Sequence, residues 1–316
     1  MRVGATILTY RDSDLTTKCA MALRDQAPVT IVCNGSDGGA EDALRVSAPW
    51  APVVSHEQNL PFSVVFNLAA ERSREAGDDA ILFVTNDVAV SPGVVDGLVR
   101  LVSEQGVAAA APIHLRADNH AMVHHAGGEY RFDRAKAIIA GGGESWEDWR
   151  EPQVFERSWL DGGVALYRTD ALADVGPWRP EYGFYWEDVD WGLRARVKGW
   201  SLRVDTSLVA YHQMSATSSS VRWWQRYMLA RNRCVCARFN LPEADYRKVM
   251  TYLKRSARIR LLRRPFEVDA HLFFHGVFDY DRGVQEGPLA PIPNDAPFWR
   301  ERLGPLARTD RRAVDA

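Results

Sequence analysis

The N-terminal quarter of the chain alternates apolar runs rich in β-branched residues with segments of helical composition. Residues 3–8, 29–33 and 80–84 are predicted strands, and residues 14–25 and 62–76 are predicted helices between them. The order strand, helix, strand, helix, strand favours a mostly parallel sheet with helices on its faces. The predicted fold class is therefore α/β, and its ligands should bind beyond the carboxyl ends of the strands.

Polar side chains follow each of these three strands. Thr9 and Tyr10 come after the first, Asn34 opens a turn-rich stretch after the second, and Asn86 and Asp87 come after the third. An Asn-Gly-Ser-Asp-Gly stretch is by itself also typical of an ordinary loop. Because the ends of parallel strands meet at one edge of a sheet, the three ends together predict a shared crevice.

Three well-known ligand-binding motifs do not occur in the chain. Residues 9–13, Thr-Tyr-Arg-Asp-Ser, stand where a dinucleotide-binding protein has G-x-G-x-x-G. Neither the phosphate-binding G-x-x-x-x-G-K-[ST] motif nor the G-x-S-x-G motif of α/β-hydrolases is present. The sequence therefore disfavours an NAD-dependent oxidoreductase, a P-loop enzyme and a hydrolase of that class.

The composition excludes some functional classes. Of the 316 residues 46% are hydrophobic, enough for one large domain or one domain with an appendage. The 39 Lys and Arg residues nearly balance the 41 Asp and Glu residues, and the net charge of −2 gives no reason to expect nucleic-acid binding. Four cysteines without zinc or disulfide spacing, a first apolar run too short for a signal peptide and no apolar run of transmembrane length predict a cytoplasmic protein.

An acidic cluster stands out at residues 186–191, Trp-Glu-Asp-Val-Asp-Trp, ahead of a helix-like segment with Arg194 and Arg196. Mutual repulsion and the low polarity of the indoles should raise the pKa of at least one carboxyl group toward the range of a general base. The alternative is a solvated acidic loop at a helix N-terminus. Asp190 is expected to cap the helix that carries Arg194.

Asp87 and His212 are the candidate metal ligands. Asp87 follows a buried strand and can offer a hard oxygen to Mg²⁺ or Mn²⁺, although a turn residue is an equally good interpretation. His212 follows a strand-like run, residues 202–211, although an isolated histidine is more often structural. Four other histidines lack a ligand-like spacing and are interpreted as part of a loop: His114, His120, His124 and His125.

Taken in chain order, these motifs resemble the family 2 inverting glycosyltransferases of the GT-A fold, and especially the bacterial rhamnosyltransferase-like members. The resemblance covers roughly residues 3–235 and implies a GT-A catalytic domain over residues 1–220, with a nucleotide-binding half to about residue 110 and an acceptor half after it. It rests on Thr9-Tyr10, residues 34–38, Asn59, Asn67, residues 86–88, residues 161–166, residues 186–190, Arg194 and His212.

The resemblance implies a role for each matching residue. Asp188 stands at the position of the catalytic base, and Glu187 is its neighbour in catalysis and, with Trp186, lies beside the acceptor. Glu187 and Asp190 stay open as alternative bases. The nucleotide and the donor sugar would contact Thr9, Tyr10, Asn34, Asn59, Asn86, Asp87, Asp161, Gly162, Gly163 and Arg231.

The activity that the resemblance implies is transfer of a sugar from a nucleoside diphosphate to an acceptor hydroxyl, with inversion at the anomeric carbon. A base removes the hydroxyl proton while the diphosphate leaves from the opposite face. Asp87 and His212 would bind Mg²⁺ or Mn²⁺, which offsets the charge on the leaving diphosphate. The donor would be a dTDP-, UDP- or GDP-sugar. The acceptor would be a lipid-linked or small molecule of polysaccharide, glycolipid or natural-product glycosylation, and a homodimer and peripheral membrane contact stay open.

Three departures from the family's pattern point to an unusual donor. Cys33 stands where the family usually has an aspartate that contacts the nucleobase. Residues 85–87, Thr-Asn-Asp, hold one carboxylate where the usual metal motif holds two. Residues 60–62, Leu-Pro-Phe, replace the glycine-containing turn that usually follows Asn59.

A basic extension over residues 221–286 follows the catalytic domain. Residues 221–233 and about 243–262 are predicted amphipathic helices, and Arg231 belongs to an Arg-Asn pair that recurs in the resembling family. Its arginines and aromatic residues suit a membrane surface or a lipid-linked acceptor, but we favour helices that pack their apolar side on the core. Residues 287–316, rich in proline and charge, are predicted to be an extended or partly disordered tail.

Two other functions stay open. A nucleotidyltransferase could share the nucleotide-binding half and would not need a base on the acceptor side. A non-catalytic module that binds a sugar nucleotide is suggested by Cys33 and by the reduced metal motif, and it would bind nucleotide without turning over any donor.

Overall fold

The computed structural model describes residues 1–35, 39–213 and 223–283, together with Leu303. The chain divides into two compact units. Unit 1 comprises Met1–Glu129, Ile138–Arg179 and Asp188–Met214, and unit 2 comprises Tyr130–Ala137, Pro180–Glu187 and Ser215–Ala316. The predicted domain boundaries at about residues 110, 220 and 286 stay predictions, and the predicted tail lies outside the described residues except for Leu303.

The described residues form strands and helices with the following bounds. The strands are β1 Val3–Thr9, β2 Val29–Asn34, β3 Val53–His56, β4 Ala80–Thr85, β5 Val88–Val90, β6 Val107–Arg116, β7 Asn119–His125, β8 Gly128–Arg131, β9 Lys136–Ile139, β10 Val154–Arg157, β11 Val164–Arg168 and β12 Ser201–His212. The helices are α1 Ser13–Leu23, α2 Gly39–Ser47, α3 Phe62–Glu75, α4 Val94–Val102, α5 Thr169–Val175, α6 Glu187–Val197, α7 Trp223–Asn240, α8 Glu243–Arg263 and α9 Val268–Asp281.

One large mixed sheet forms the centre of unit 1. Its strand order is β10-β12-β6-β11-β4-β1-β2-β3, with β5 added beside β12 and β7 added beside β6. Strands β4, β1, β2 and β3 run parallel, β12 runs parallel to β6, and β11 runs antiparallel between β4 and β6. The predicted α/β fold with a mostly parallel central sheet is therefore confirmed.

Apolar side chains cover both faces of this sheet. Because successive side chains of a strand point to opposite faces, Leu82 and Val84 of β4 join one apolar cluster and Ile81 and Phe83 join the other. Helices α1 and α4 pack on the first face, and α3 packs on the second. Burial on both faces explains why β4 is a continuous apolar run in the sequence.

Unit 2 contains α7, α8 and α9. Their apolar cluster includes Trp223, Trp224 and Tyr227 of α7 and Leu272 of α9. Gly276 of α9 lies against α7, and a Cβ atom there would stand 2.7 Å from the carbonyl oxygen of Tyr227, so a small residue is needed for this helix contact. The predicted helices 221–233 and 243–262 correspond to α7 and α8, and α7 continues seven residues further than predicted.

The helices can be compared with the length and hydropathy that a membrane-spanning segment needs. Among the described residues, none of the helices combines the length and the apolar character that crossing a membrane requires.

Candidate functional site

Asp188 lies in the first turn of α6, at the edge of the sheet of unit 1 where Gly162 precedes β11. Its Oδ2 accepts a hydrogen bond of 3.3 Å from the backbone N–H of Gly162, and its Oδ1 accepts one of 2.7 Å from the N–H of Val189. Burial raises the pKa of Asp188 to about 7, and the negative charge of Asp161 adds to the rise. The raised pKa expected in the acidic cluster thus belongs to Asp188, and it suits a general base near neutral pH.

Asp190 anchors α6 within unit 1. Its carboxylate is fully buried and lies 2.8 Å from Nη1 of Arg179 and 2.8 Å from Nε of Arg194. Arg194 also donates to the carbonyl oxygen of Val175. The expectation that Asp190 caps the helix carrying Arg194 is wrong, because α6 begins at Glu187 and Asp190 lies inside it. Asp190 instead ties α6 to the segment that precedes it.

Histidines from three neighbouring strands of the sheet lie close together. His114 lies in β6, His124 and His125 lie in β7, and His212 ends β12, and β6 pairs with both other strands. The ring centroids of His124 and His212 are 4.6 Å apart, and those of His114 and His212 are 6.2 Å apart. The interpretation of His114, His120, His124 and His125 as a loop is therefore wrong. The apolar run before His114 was the missed signal, because it predicts a strand that ends near that histidine.

Asp161 completes a group of side chains that could hold a metal ion. Its Oδ2 lies 3.2 Å from Nδ1 of His114, and donor atoms of His114, Asp161 and His212 all lie within 4.8 Å of one another. The contact between Asp161 and His114 is close enough for an ion pair but is not directed as a hydrogen bond. Four buried atoms here lack a hydrogen-bond partner: Asp161 Oδ2, His114 Nδ1, His125 Nε2 and His212 Nδ1. A divalent cation would bind the lone pairs of the Asp161, His114 and His212 atoms, whereas Nδ1 of His125 accepts from the N–H of Gly127, so its Nε2 carries the ring proton.

The surroundings shift the pKa values of the groups in this cluster in different directions. Burial lowers the pKa of His124 to about 4 and that of His125 to about 3, so both imidazoles are neutral at pH 7. Burial opposes the charge of Asp161, but His125, His114 and His212 outweigh it and hold its pKa well below the usual range. Burial would lower the pKa of His212, but the hydrogen bond and charge of Asp87 raise it overall. Asp161 therefore has the ionised form that binds metals, and a cation at His212 would have to displace the proton that Asp87 favours there.

Asp87 lies on the other side of His212. Its Oδ2 is 3.2 Å from Nε2 of His212, and its Oδ1 accepts a hydrogen bond of 2.6 Å from Oγ1 of Thr85. Burial would raise the pKa of Asp87, but the hydrogen bond and charge of His212 lower it overall. The pairing of β5 with β12, which sets Val88 opposite His212, brings the two predicted metal ligands together. Asp87 is not part of the three-residue group around Asp161.

Thr9 and Asn86 form a buried polar network below the predicted nucleotide crevice. The amide nitrogen of Asn86 donates to Oγ1 of Thr9 and to Oγ1 of Thr16, each at 3.1 Å. This network joins β1, α1 and the end of β4. Tyr10, the next residue, is about half exposed, and the guanidinium of Arg11 lies 4.9 Å above its ring.

Asn34 and Asn59 shape the loop that leads into α3. The amide nitrogen of Asn34 donates to Oδ1 of Asn59 at 2.8 Å and to the carbonyl oxygen of Leu60 at 2.9 Å, and its oxygen accepts from the N–H of Leu60. Gly35 has a φ of +79°, and a Cβ atom there would stand 2.9 Å from the backbone nitrogen of Asn59. Asn34 thus holds in place the Leu-Pro-Phe segment at residues 60–62, which differs from the glycine-containing turn of the resembling family. The turn at residues 36–38 lies outside the described residues.

The two glycines after Asp161 allow close packing before β11. A Cβ atom on Gly163 would stand 2.9 Å from Oδ2 of Asp161, and one on Gly162 would stand 3.1 Å from the ring of Phe62. The carbonyl oxygen of Gly163 accepts a hydrogen bond of 2.8 Å from the N–H of Thr85. Small residues here keep the Asp161 carboxylate next to the histidines and leave the Gly162 N–H directed at Asp188.

Three predicted site residues belong to unit 2: Trp186, Glu187 and Arg231. Trp186 and Glu187 are buried, and the side chain of Arg231 donates to Oδ1 of Asn232 at 2.8 Å. Tyr185 and Trp186 have φ angles of +69° and +78°, in the left-handed region that non-glycine residues rarely adopt. The amide of Asn232 donates to the carbonyl oxygens of residues 182, 184 and 185 and holds this strained turn. Asn232 thus holds the turn before Asp188. The sequence indicated only that Asn232 is the partner of Arg231 in the recurring Arg-Asn pair.

Comparison with known proteins finds curated relatives and solved structures that are similar to the chain. No protein-family model matches the chain. The chain is 26% identical over 224 residues to the N-acetylglucosaminyl-diphospho-decaprenol L-rhamnosyltransferase of two Mycobacterium tuberculosis strains, over 63% of this chain and 71% of the relative. It is also similar to the crystal structure of GalNAc-T7 with UDP, GalNAc and Mn²⁺, with a TM-score of 0.53 and 11% identity over 77% of this chain. The chain spans 52%, about half, of that GalNAc-T7 chain.

These likenesses bear on the fold and on the resemblance seen in the motifs. The GT-A fold is confirmed by the likeness to GalNAc-T7, and the resemblance to rhamnosyltransferase-like glycosyltransferases is confirmed by the mycobacterial relative. Together they support a glycosyltransferase activity. The roles given to individual residues stay predictions.

Proposed function

We propose that this chain is an inverting glycosyltransferase that moves a deoxyhexose of the rhamnose class from a nucleoside diphosphate to a hydroxyl of a lipid-linked diphosphate acceptor. The observation that carries the proposal is Asp188, a helix-terminal carboxylate with a pKa of about 7, held by the N–H of Gly162. The name of the mycobacterial relative supports both the rhamnosyl group and the lipid diphosphate.

Asp188 acts as the general base in this proposal. The hydrogen bonds from Gly162 and Val189 fix the direction of the carboxylate, and its raised pKa gives it the proton affinity that base catalysis near neutral pH requires. It takes the proton from the acceptor hydroxyl as that oxygen bonds to the anomeric carbon. The diphosphate leaves from the opposite face, so the product has the inverted anomeric configuration.

His212, Asp161 and His114 would hold a divalent cation, and Asp87 would support it through His212. The orphaned buried atoms of Asp161, His114 and His212 support the assignment. When bound, the cation supplies positive charge to the departing diphosphate. Two imidazoles among the donors favour Mn²⁺ over Mg²⁺, which prefers oxygen ligands and water, and the Mn²⁺ in the similar GalNAc-T7 structure agrees with this choice.

The test is a transfer assay with a panel of donors. Rhamnose and related hexoses linked to dTDP, UDP or GDP are supplied with Mn²⁺ and an N-acetylglucosaminyl-diphospho-polyprenol acceptor. We expect one donor to be turned over, and NMR of the product should show the anomeric configuration opposite to that of the donor.

The control variants separate this proposal from its rivals. Asp188→Asn should lower the rate of transfer roughly 10²- to 10⁴-fold, whereas Asp96→Asn, a change at an exposed carboxylate on α4, should leave it unchanged. A nucleotidyltransferase would keep its activity in Asp188→Asn, and a non-catalytic module would bind a donor without turning it over. Retention of the anomeric configuration would overturn the assignment of Asp188 as an acceptor-side base.

A further inference from the structure

The C-terminal end of α8 and the turn that follows it expose large apolar side chains. Leu262 is 80% exposed and Phe266 is 85% exposed. We call residues 258–266 the basic tip. The buried side of α8 is formed by Val249, Met250, Leu253 and Ala257. Leu262 follows Ala257 by five residues, about 140° around the helix, so it points away from the packed side.

The basic tip is also the centre of a strong local charge. Residues 254–267 contain six basic residues and one acidic residue, Glu267, although the whole chain carries a net charge of −2. The basic residues are Lys254, Arg255, Arg258, Arg260, Arg263 and Arg264. Arginines favour the C-terminal end of a helix because of its dipole. The dipole explains the arginines, but it does not explain why Leu262 and Phe266 lie in water.

We propose that the basic tip docks on a membrane surface that contains anionic lipids. Leu262 and Phe266 enter the boundary between headgroups and acyl chains, and the surrounding arginines bind lipid phosphates. Leu262 and Phe266 flank Arg263 and Arg264 in the chain, and although Arg264 lies 3.0 Å from Glu267, the segment matches such a surface in both charge and polarity. Nucleic acid would pair with the arginines but would leave the leucine without a partner. The inference does not depend on the sugar-transfer activity, because binding is measured without any substrate.

The experiment measures binding of the full chain to vesicles. Vesicles of phosphatidylcholine with phosphatidylglycerol are compared with vesicles of phosphatidylcholine alone, by co-sedimentation at low and at physiological salt. We expect binding to the anionic vesicles only, weakened by salt because charges at a surface are screened. Phe266→Cys, labelled with an environment-sensitive dye, should report an apolar environment, and the four native cysteines are buried and should not compete for the label.

A matched pair of variants tests the site. Leu262→Ser with Arg263→Gln removes an exposed apolar side chain and the arginine next to it. Val46→Ser with Arg45→Gln does the same on α2, where Val46 is 82% exposed. The first variant should bind anionic vesicles at least about tenfold more weakly, since each arginine near such a surface contributes roughly fivefold. The second should bind like the unchanged chain.

Three outcomes of the vesicle experiments would overturn the proposal. These are the absence of binding to anionic vesicles at low salt, equal losses in the two variants, and a dye at residue 266 that stays in water. Circular dichroism of each variant identifies any loss caused by unfolding. If Leu262→Ser with Arg263→Gln unfolds, the single variant Phe266→Ser, in the turn after α8, tests the same site. Tighter binding to polyglutamate or to duplex DNA than to the vesicles would also reject a lipid surface as the partner.

Discussion

At the residue scale, the site depends on two carboxylates whose surroundings shift their pKa values in opposite directions. Asp161 lies among histidines that keep it ionised, and Asp188 lies at the end of α6, where burial and the charge of Asp161 raise its pKa. One carboxylate is therefore suited to a cation and the other to a proton. Environments that push two pKa values apart in this way are a common mark of acid–base sites.

Replacing Asp188 should lower the activity but raise the thermal stability. Asp188→Asn should lower kcat by roughly 10²- to 10⁴-fold, the usual contribution of a general base. The same change should raise the melting temperature at pH 8, because it removes a buried charge whose ionised form the fold disfavours. Asp96→Asn is the control for both measurements. An unchanged kcat in Asp188→Asn would exclude this residue as the base.

The pH dependence follows from the direction of the same shift. The folded state holds the proton of Asp188 up to about pH 7, whereas the unfolded chain releases it near pH 4. The contribution of Asp188 to stability therefore becomes less favourable between about pH 4 and pH 7 and is constant above that range. The value of kcat/KM should fall below about pH 7, because the base becomes protonated. A pH–rate profile that is flat from pH 5 to pH 8 would contradict the prediction.

The proposed metal site predicts that Asp161 and Asp87 contribute unequally to the binding of a cation. Mn²⁺ at about 100 times its Kd should stabilise the chain by roughly 2.7 kcal/mol, measured as a shift in melting temperature. Asp161→Asn should remove most of this stabilisation, whereas Asp87→Asn, which affects His212 indirectly, should reduce it less. The reverse order of the two variants would place the cation at Asp87 and His212, as the motifs alone predict.

At the element scale, the pairing of the strands explains why part of the site could not be predicted from the sequence. The strands before Thr9, Asn34 and Asp87 were predictable, because each is an apolar run followed by polar residues. Strand β7 was not, because four of its seven residues are polar, its first three are exposed and its pairing with β6 is irregular. Without that strand, His124 and His125 have no predicted neighbour. Their position depends on strand pairing, which leaves little trace in local sequence.

The turn before α6 gives a prediction about Asn232. Two consecutive residues with positive φ, Tyr185 and Trp186, cost about 1–3 kcal/mol each and persist only if the surroundings fix them. Asn232→Ala would remove the amide that donates to the carbonyl oxygens of residues 182, 184 and 185 and should lower the free energy of unfolding by about 1–3 kcal/mol. Because this backbone leads directly into Asp188, kcat should fall by up to about 10²-fold with KM for the donor little changed.

A second asparagine on the same helix is the matched control for that experiment. The amide of Asn240 donates to the carbonyl oxygen of Cys236, within α7 itself. Asn240→Ala should therefore leave kcat unchanged. Equal effects of the two variants on kcat would mean that Asn232 stabilises the helix and does not position the turn.

At the scale of the whole molecule, charge and apolar surface are unevenly distributed along the chain. A net charge of −2 conceals a strongly basic segment, and the average composition could not reveal that Leu262 and Phe266 lie in water. From sequence, internal packing is the favoured interpretation of the helical extension, and a membrane surface is the alternative. Trp223 and Trp224 of α7 are buried, whereas the end of α8 is exposed, so neighbouring helices of one extension differ in this respect.

The transfer activity and the basic tip together predict how the acceptor's setting affects the rate. If the acceptor is embedded in anionic vesicles, docking raises the local concentration of enzyme at the acceptor, as in other tethered reactions. Leu262→Ser with Arg263→Gln should therefore raise the apparent KM for a vesicle-embedded acceptor roughly tenfold or more. With a water-soluble, short-chain acceptor the same variant should match the unchanged chain in kcat and KM, because it alters no residue of the proposed site. A rate loss with the soluble acceptor would show that the tip acts on catalysis itself, and equal KM values with the vesicle acceptor would show that docking does not deliver the enzyme to its substrate.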